Sequence, residues 1–332
     1  MSEIILLNPG PTNTLSKVKK VQSSNTDVCH RTEDFKEVYQ KLKRALLHRF
    51  TGDVTTDWDV AIIGGSGTAA LESMIVSLLP EEGSILLAGK YGERAVSILE
   101  RNNIFYNKIA CKDVSMLIPD VTVENLYFVE NETTTGEKFS VTKIKENFPN
   151  AQMFIDATSS FGASVYKKDL KNIAAISFCS NKCLQAPAGL GIIIYRKSLK
   201  IYKRSSFYLD ISQYQDKIPF TIPPQLIYSL MESLKGNVDN EKLFSSRMER
   251  TIQDFKNMGI KCINKVPSNS VIGFVHPVKS YKDLENFLKN RGIVIYSGIP
   301  AVNNSFRIST MSVLYDDKYD YIIEAFNDSC IC

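Results

Sequence analysis

What this 332-residue chain lacks narrows its function first. No apolar run approaches the roughly 18 residues of a membrane span, and the N-terminus has no charge-then-apolar leader layout. There is no block of like charge: 40 Lys and Arg are interspersed with 36 Asp and Glu, for a net charge of +4. Without a basic stripe to track a phosphate backbone, nucleic acid is not an expected partner. The seven cysteines are scattered and odd in number, with no C-x-x-C pair. Reduced thiols in a cytoplasmic protein explain that better than a disulfide frame or a zinc site. Cys330 and Cys332 lie in a terminal stretch expected to fray. Repeats, low-complexity segments and an obvious linker are also missing. What remains, at 44% hydrophobic residues, is enough to bury a full core and to form two domains.

The most informative stretch runs from Asp156 to Lys182. The apolar run Met153-Phe154-Ile155 ends in Asp156, as a buried strand does when it delivers an acid to a sheet's C-terminal edge. A second run, 173–178, ends in Ser180-Asn181-Lys182, leaving room for a connection between adjacent strands. An acid and an amine would then open on one crevice. Pyridoxal phosphate needs that pair: a lysine for its aldehyde and a carboxylate to keep its ring nitrogen protonated. Taken singly, Asp156 is also a turn residue and Lys182 a surface charge.

Other motifs precede and follow. Asn8-Pro9-Gly10-Pro11 fixes a rigid bend, either an entry loop or a set of amides beside a ligand. Thr32 starts a helix over about 35–50, which leaves His30 and Arg31 before its N-terminus, where anions are favoured, or simply in an exposed loop. A strand over 59–63 runs into Gly64-Gly65-Ser66-Gly67-Thr68 and a helical pattern through Leu79. Such a turn brings backbone and hydroxyls close to an anion, although it is neither a Walker sequence nor G-x-G-x-x-G. Further strand-like runs at 84–88, 104–109, 126–129, 152–155, 173–178 and 190–195 alternate with helix-compatible stretches such as 93–101 and 141–148. That pattern specifies an α/β chain with a mainly parallel sheet. Strands at 271–276, 293–296 and 306–309 and helices at 283–289 and 318–326 follow. Tyr91 opens a helix, where it can stack on a flat ring, and Thr133-Thr134-Thr135 offers three hydroxyls after a strand.

In this order, Asn8-Pro9-Gly10-Pro11, Gly65-Ser66-Gly67-Thr68, Tyr91-Gly92-Glu93-Arg94, Glu132-Thr133-Thr134-Thr135-Gly136, Asp156-Ala157-Thr158-Ser159-Ser160-Phe161-Gly162, Asn181-Lys182-Cys183 and Phe306-Arg307-Ile308 resemble the class V pyridoxal-phosphate aminotransferases. Within that class the chain most resembles the 2-aminoethylphosphonate–pyruvate aminotransferases, then the alanine–glyoxylate and serine–glyoxylate ones. The resemblance implies a fold-type I α/β enzyme: a large domain at 14–238 with a seven-stranded, mainly parallel sheet, and a smaller α+β domain at 239–332, with segment 1–13 packed near it. It implies that Lys182 bonds the cofactor and Asp156 pairs with its ring nitrogen. Ser66, Gly67 and Thr68 would cup the phosphate, Thr133 would approach the ring's 3-oxygen and Tyr91 would stack on the ring. Arg307 would grip a substrate carboxylate with a planar fork. His30 and Arg31 would add positive charge for a phosphonate. Thr221 resembles a threonine that reaches the cofactor phosphate of a neighbouring subunit, so a homodimer with shared sites is implied. The implied reaction moves the amino group of 2-aminoethylphosphonate to pyruvate.

Overall fold

The computed structural model describes residues 4–23, 27–53, 57–204, 206–236, 240–299 and 302–331. Strand β1 (Ile5–Leu6) precedes helix α1 (Glu33–Thr51) and strand β2 (Trp58–Gly64), which leads into helix α2 (Gly67–Leu78). Then come β3 (Glu82–Leu87), helix α3 (Lys90–Arg101), β4 (Phe105–Ala110), β5 (Asn125–Val129), β6 (Gln152–Asp156), β7 (Ile173–Cys179) and β8 (Leu190–Arg196). These seven strands form one sheet in the order β2-β8-β7-β6-β5-β3-β4. Only β8 runs antiparallel to its neighbours, β2 and β7. The other adjacent pairs, β7-β6, β6-β5, β5-β3 and β3-β4, are parallel.

Both faces of this sheet are covered, which is why its strands read as near-continuous apolar runs. Val60, Ile62, Ile176, Phe178, Ile192 and Ile194 face one core, which includes Phe35 and Leu42 of α1. Ala61, Ile63, Ala175, Ile193 and Tyr195 face the other, together with Met74 and Ile75 of α2 and Ile98 of α3. Successive residues alternate between the two cores, as the pleat requires.

A second sheet lies toward the C-terminus. After helices α4 (Pro224–Leu234) and α5 (Asn240–Asn257), strands Lys261–Cys262, β9 (Val271–Val275), β12 (Ser305–Ser309) and β11 (Tyr296–Ser297) pair antiparallel in that order. Strand β10 (Ile293–Val294) instead pairs in parallel with β1, Ile5 opposite Ile293. Helices α6 (Tyr281–Lys289) and α7 (Tyr319–Ile331) complete the layer. Its own core holds Ile5 and Leu7 with Phe255, Phe274, Phe306 and Phe326.

Two expectations change. The run at 293–296 is not one strand: Ile293–Val294 and Tyr296–Ser297 join different partners across a buried Ile295. Nor does the chain fray at Cys330, which lies within α7 with its thiol 3.5 Å from the buried His276 Nε2. Cys332 and the expected boundary at 238/239 fall outside the described residues.

Candidate active site

Parallel strands deliver their C-terminal residues to one edge of a sheet, and the turns there open on a common crevice. Here β6 ends in Asp156, β7 in Cys179 and β5 in Val129, and after β2 come Ser66, the N-cap of α2, and Gly67 and Thr68, which open that helix. These residues line one cavity of about 190 Å³ with Tyr91, Arg94, Asn131, Thr133, Thr158 and Lys182. Asp156 and Lys182 therefore meet where the strand order places them.

Asp156 is 3% exposed. Its Oδ1 accepts from the Thr158 amide at 2.9 Å. Burial pushes the carboxyl above the usual range, while the Thr158 hydrogen bonds and the charges of Arg94 and Lys182 pull the other way. A protonated ring nitrogen beside it would supply the close cation that a buried carboxylate requires. Lys182 is half-buried, and its Nζ donates to the Pro9 carbonyl. The Pro-Gly-Pro bend closes over it: Gly10 has φ +131°, and a Cβ there would meet Lys182 Cδ at 2.6 Å and Nζ at 2.8 Å. Only glycine lets the loop lie against the amine.

The glycine-rich turn is built for an anion. Ser66 is the N-cap of α2, yet its side chain makes no cap hydrogen bond, and the first turn carries no acid. The hydroxyl and the first helix amides remain available to a phosphate, aided by the helix dipole. Gly67 keeps the cup uncrowded, since a Cβ there would lie 3.3 Å from both Thr158 and Cys179. The residues present fit pyridoxal phosphate: an anion cup, a buried acid and an amine share one enclosed space. The buried Asn131 Oδ1 has no partner among the described residues, so the cavity wall still holds an acceptor to be satisfied.

Thr133 is 2% exposed, and its carbonyl accepts from Arg307 Nη1. Arg307 projects from β12, donates through Nε to the Ser297 carbonyl at 2.6 Å, and stands 5.1 Å over the Tyr296 ring. It is 5% exposed, and burial lowers its pKa from the ordinary arginine value. Arg307 thus reaches the edge of the Lys182 cavity through Thr133 without lining it.

His30 and Arg31 sit elsewhere in the chain. With Lys36, Gln213, Lys217 and Phe220 they line a second cavity of about 660 Å³. Thr32 caps α1 beside them, accepting from the Phe35 amide at 3.4 Å. The His30 Nε2 is buried without a partner among the described residues. Thr221 is exposed, next to Phe220. Within one chain these three residues do not join the Lys182 cavity.

Arg94, Asn131, Thr158 and Cys179 were given no role of their own from sequence, yet all four line the cavity. A signal for Arg94 was present, because Tyr91 and Arg94 are three apart at the start of a helix and so share a face. Glu132, 0% exposed, was also missed as a structural clamp. Its Oε2 accepts from the Tyr91 and Gly92 amides at 3.1 and 3.3 Å, fastening the loop after β5 to the start of α3.

No family model matches the chain. Among curated proteins it is 26% identical to the 2-aminoethylphosphonate–pyruvate transaminase of Phocaeicola vulgatus, over 98% of both chains. It is 28% identical to a bifunctional phosphonoacetaldehyde hydrolase/aminoethylphosphonate transaminase of Clostridioides difficile, covering 98% of this chain and 56% of that one. The crystal structure of the ureidoglycine–glyoxylate aminotransferase from Bacillus subtilis superposes with a TM-score of 0.87 at 20% identity, covering 100% of this chain and 94% of that one. By sequence and fold the chain is similar to the class V aminotransferases. Its mixed α/β architecture around the large sheet is that of the fold-type I enzymes.

Proposed function

We propose that this chain is a class V aminotransferase that transfers the amino group of 2-aminoethylphosphonate to pyruvate, giving phosphonoacetaldehyde and alanine, with pyridoxal phosphate in the Lys182 cavity. Full-length similarity to a 2-aminoethylphosphonate–pyruvate transaminase carries the substrate reading. The meeting of Lys182, Asp156 and the Ser66–Thr68 turn in one cavity supports the cofactor reading. When bound, pyridoxal phosphate supplies a carbonyl for the amino group and a pyridinium ring that draws electrons from the carbon losing its proton.

The chain's residues do the rest. Lys182 would hold the cofactor through Nζ and, as a free amine, would move the proton from the substrate carbon. Asp156 would keep the ring nitrogen protonated from its buried position. Ser66, Gly67 and Thr68 would hold the phosphate, with Thr133 and Tyr91 available to the ring. Arg307 holds the pyruvate carboxylate, and its carbonyl partners and the Tyr296 ring set the guanidinium plane beforehand.

The active form in this reading is a cytoplasmic homodimer with shared sites. The exposed position of Thr221 beside the His30/Arg31 cavity supports a role for that face toward a partner's cofactor and substrate phosphonate. The division into a cofactor-holding part and a smaller part carrying Arg307, near 238/239, is part of the same proposal.

A half-reaction panel on the cofactor-loaded protein tests the substrate. 2-Aminoethylphosphonate, alanine, serine and phosphoserine are added singly while the visible absorbance of the bound cofactor is followed. Rapid bleaching by 2-aminoethylphosphonate and alanine, the two amines of the proposed reaction, is the expected result. Bleaching by serine or phosphoserine in preference to 2-aminoethylphosphonate would move the substrate to another class V reaction.

A further inference from the structure

The Lys182 cavity is lined by one carboxylate, Asp156, and two cationic side chains, Lys182 and Arg94. On the aminotransferase reading, Lys182 is committed to the cofactor aldehyde and Asp156 to the ring nitrogen. The cofactor phosphate, close to a dianion, is then left with the turn at the start of α2. A helix N-terminus offers about half a positive charge, which does not balance it. Arg94 is the remaining full charge at the cavity wall.

We propose that Arg94 is a cofactor-binding residue that neutralises the phosphate, and that a clamp built from Glu132 and Thr134 aims it there. The Arg94 Nη1 donates to Thr68 Oγ1 at 3.2 Å, so the guanidinium already touches the phosphate cup. Thr68 accepts that bond, which frees its own hydroxyl proton to donate into the cup. A guanidinium has five donors, leaving others for phosphate oxygens. The Arg94 Cζ stands 4.8 Å from the Tyr91 ring centroid, so the fork lies over the residue that would pack on the cofactor.

The clamp explains how a partly exposed arginine keeps this direction. Glu132 accepts from the Tyr91 and Gly92 amides, and Thr134 Oγ1 accepts from the Lys90 amide at 3.2 Å. Thr134 in turn donates to Glu132 through its amide at 3.1 Å and its hydroxyl at 2.5 Å. The three opening amides of α3 are therefore held by two side chains from the neighbouring loop, and the helix cannot turn about its axis without breaking them. Gly89 lets the loop approach, since a Cβ there would meet Thr134 and Glu132. Arg94, one turn along, inherits that orientation. In this account Glu132 is a positioning residue.

The test compares equilibrium binding of pyridoxal phosphate and of pyridoxal, which lacks the phosphate, to the protein freed of cofactor. For Arg94→Gln the expected result is about a 10- to 100-fold loss of pyridoxal phosphate affinity with pyridoxal affinity unchanged. Arg94→Lys should recover part of the loss, and inorganic phosphate should compete less well for Arg94→Gln than for the unaltered protein. Glu132→Gln should give a smaller loss of the same phosphate-dependent kind. Equal weakening for both ligands would overturn the proposal and make Arg94 a prop for Tyr91; no weakening would overturn it outright. If Arg94→Gln does not fold, Arg94→Met takes its place and must lose the same phosphate-dependent increment. Failure of the unaltered protein to bind pyridoxal phosphate would instead remove the aminotransferase reading beneath the proposal, and the proposal with it.

Discussion

The Lys182 cavity and the His30/Arg31 cavity both carry cationic and polar side chains and differ in what surrounds them. The Lys182 cavity, about 190 Å³, takes its walls from strand ends and helix starts: β5, β6, β7, the turn after β2 and the first turn of α3. The second, about 660 Å³, is lined by the start of α1 and the loops at 207–220. In the first an acid and an amine are fixed by a packed sheet, so their relative position is set before any ligand arrives. In the second His30, Arg31 and Lys217 sit on loops, where charge is available but geometry is looser. Catalysis needs the first kind of site; anion recruitment is served by the second.

That contrast breaks or sharpens under substitution. Lys182→Ala should give the largest effect, abolishing measurable turnover, because it removes both the covalent anchor and the base; single-turnover absorbance checks it. Asp156→Asn comes next. With no carboxylate to hold the ring nitrogen protonated, kcat should fall about 10²–10⁴-fold, a scale borrowed from proton-transfer groups. Retention of pyridoxal phosphate by that variant separates lost chemistry from lost binding. Arg307→Lys should raise KM for pyruvate about 10-fold or more, as a planar fork becomes a point charge. The smallest effect is expected from Arg31→Ala: a several-fold rise in KM for 2-aminoethylphosphonate with kcat held. If its KM for both substrates is unchanged, the second cavity has no part in substrate capture. If it loses kcat as heavily as Asp156→Asn, the distinction between the cavities fails.

The sheet was legible because buried strands write their own boundaries: Ile173–Cys179 is buried throughout and apolar but for Ser177, with a polar turn after it. The acid and the amine were legible for the same reason, each at the end of such a run. Helix α5 was not anticipated. Its buried positions Asn240, Phe244, Arg247, Thr251 and Phe255 have helical spacing, but three of the five are polar and mask the period. Arg247 can be buried there because it donates to the Thr310 carbonyl at 2.6 Å and to Asp316 at 2.9 and 2.6 Å, partners more than sixty residues away. The same limit applied to the split at Ile295, where alternation records which face is buried and nothing about which strand lies alongside. Arg94 fell between these cases, visible as part of a motif but without a role until Thr68 and the Glu132 clamp were placed around it.

The pairing of Lys182 with Asp156 in one cofactor cavity is the central claim, and covalent capture tests it most directly. Protein loaded with pyridoxal phosphate is reduced with borohydride, digested, and its peptides are weighed by mass spectrometry. The account expects the cofactor's mass on the peptide containing Lys182, and no label in Lys182→Ala. A label on another lysine, or an unlabelled Lys182 peptide, would contradict it.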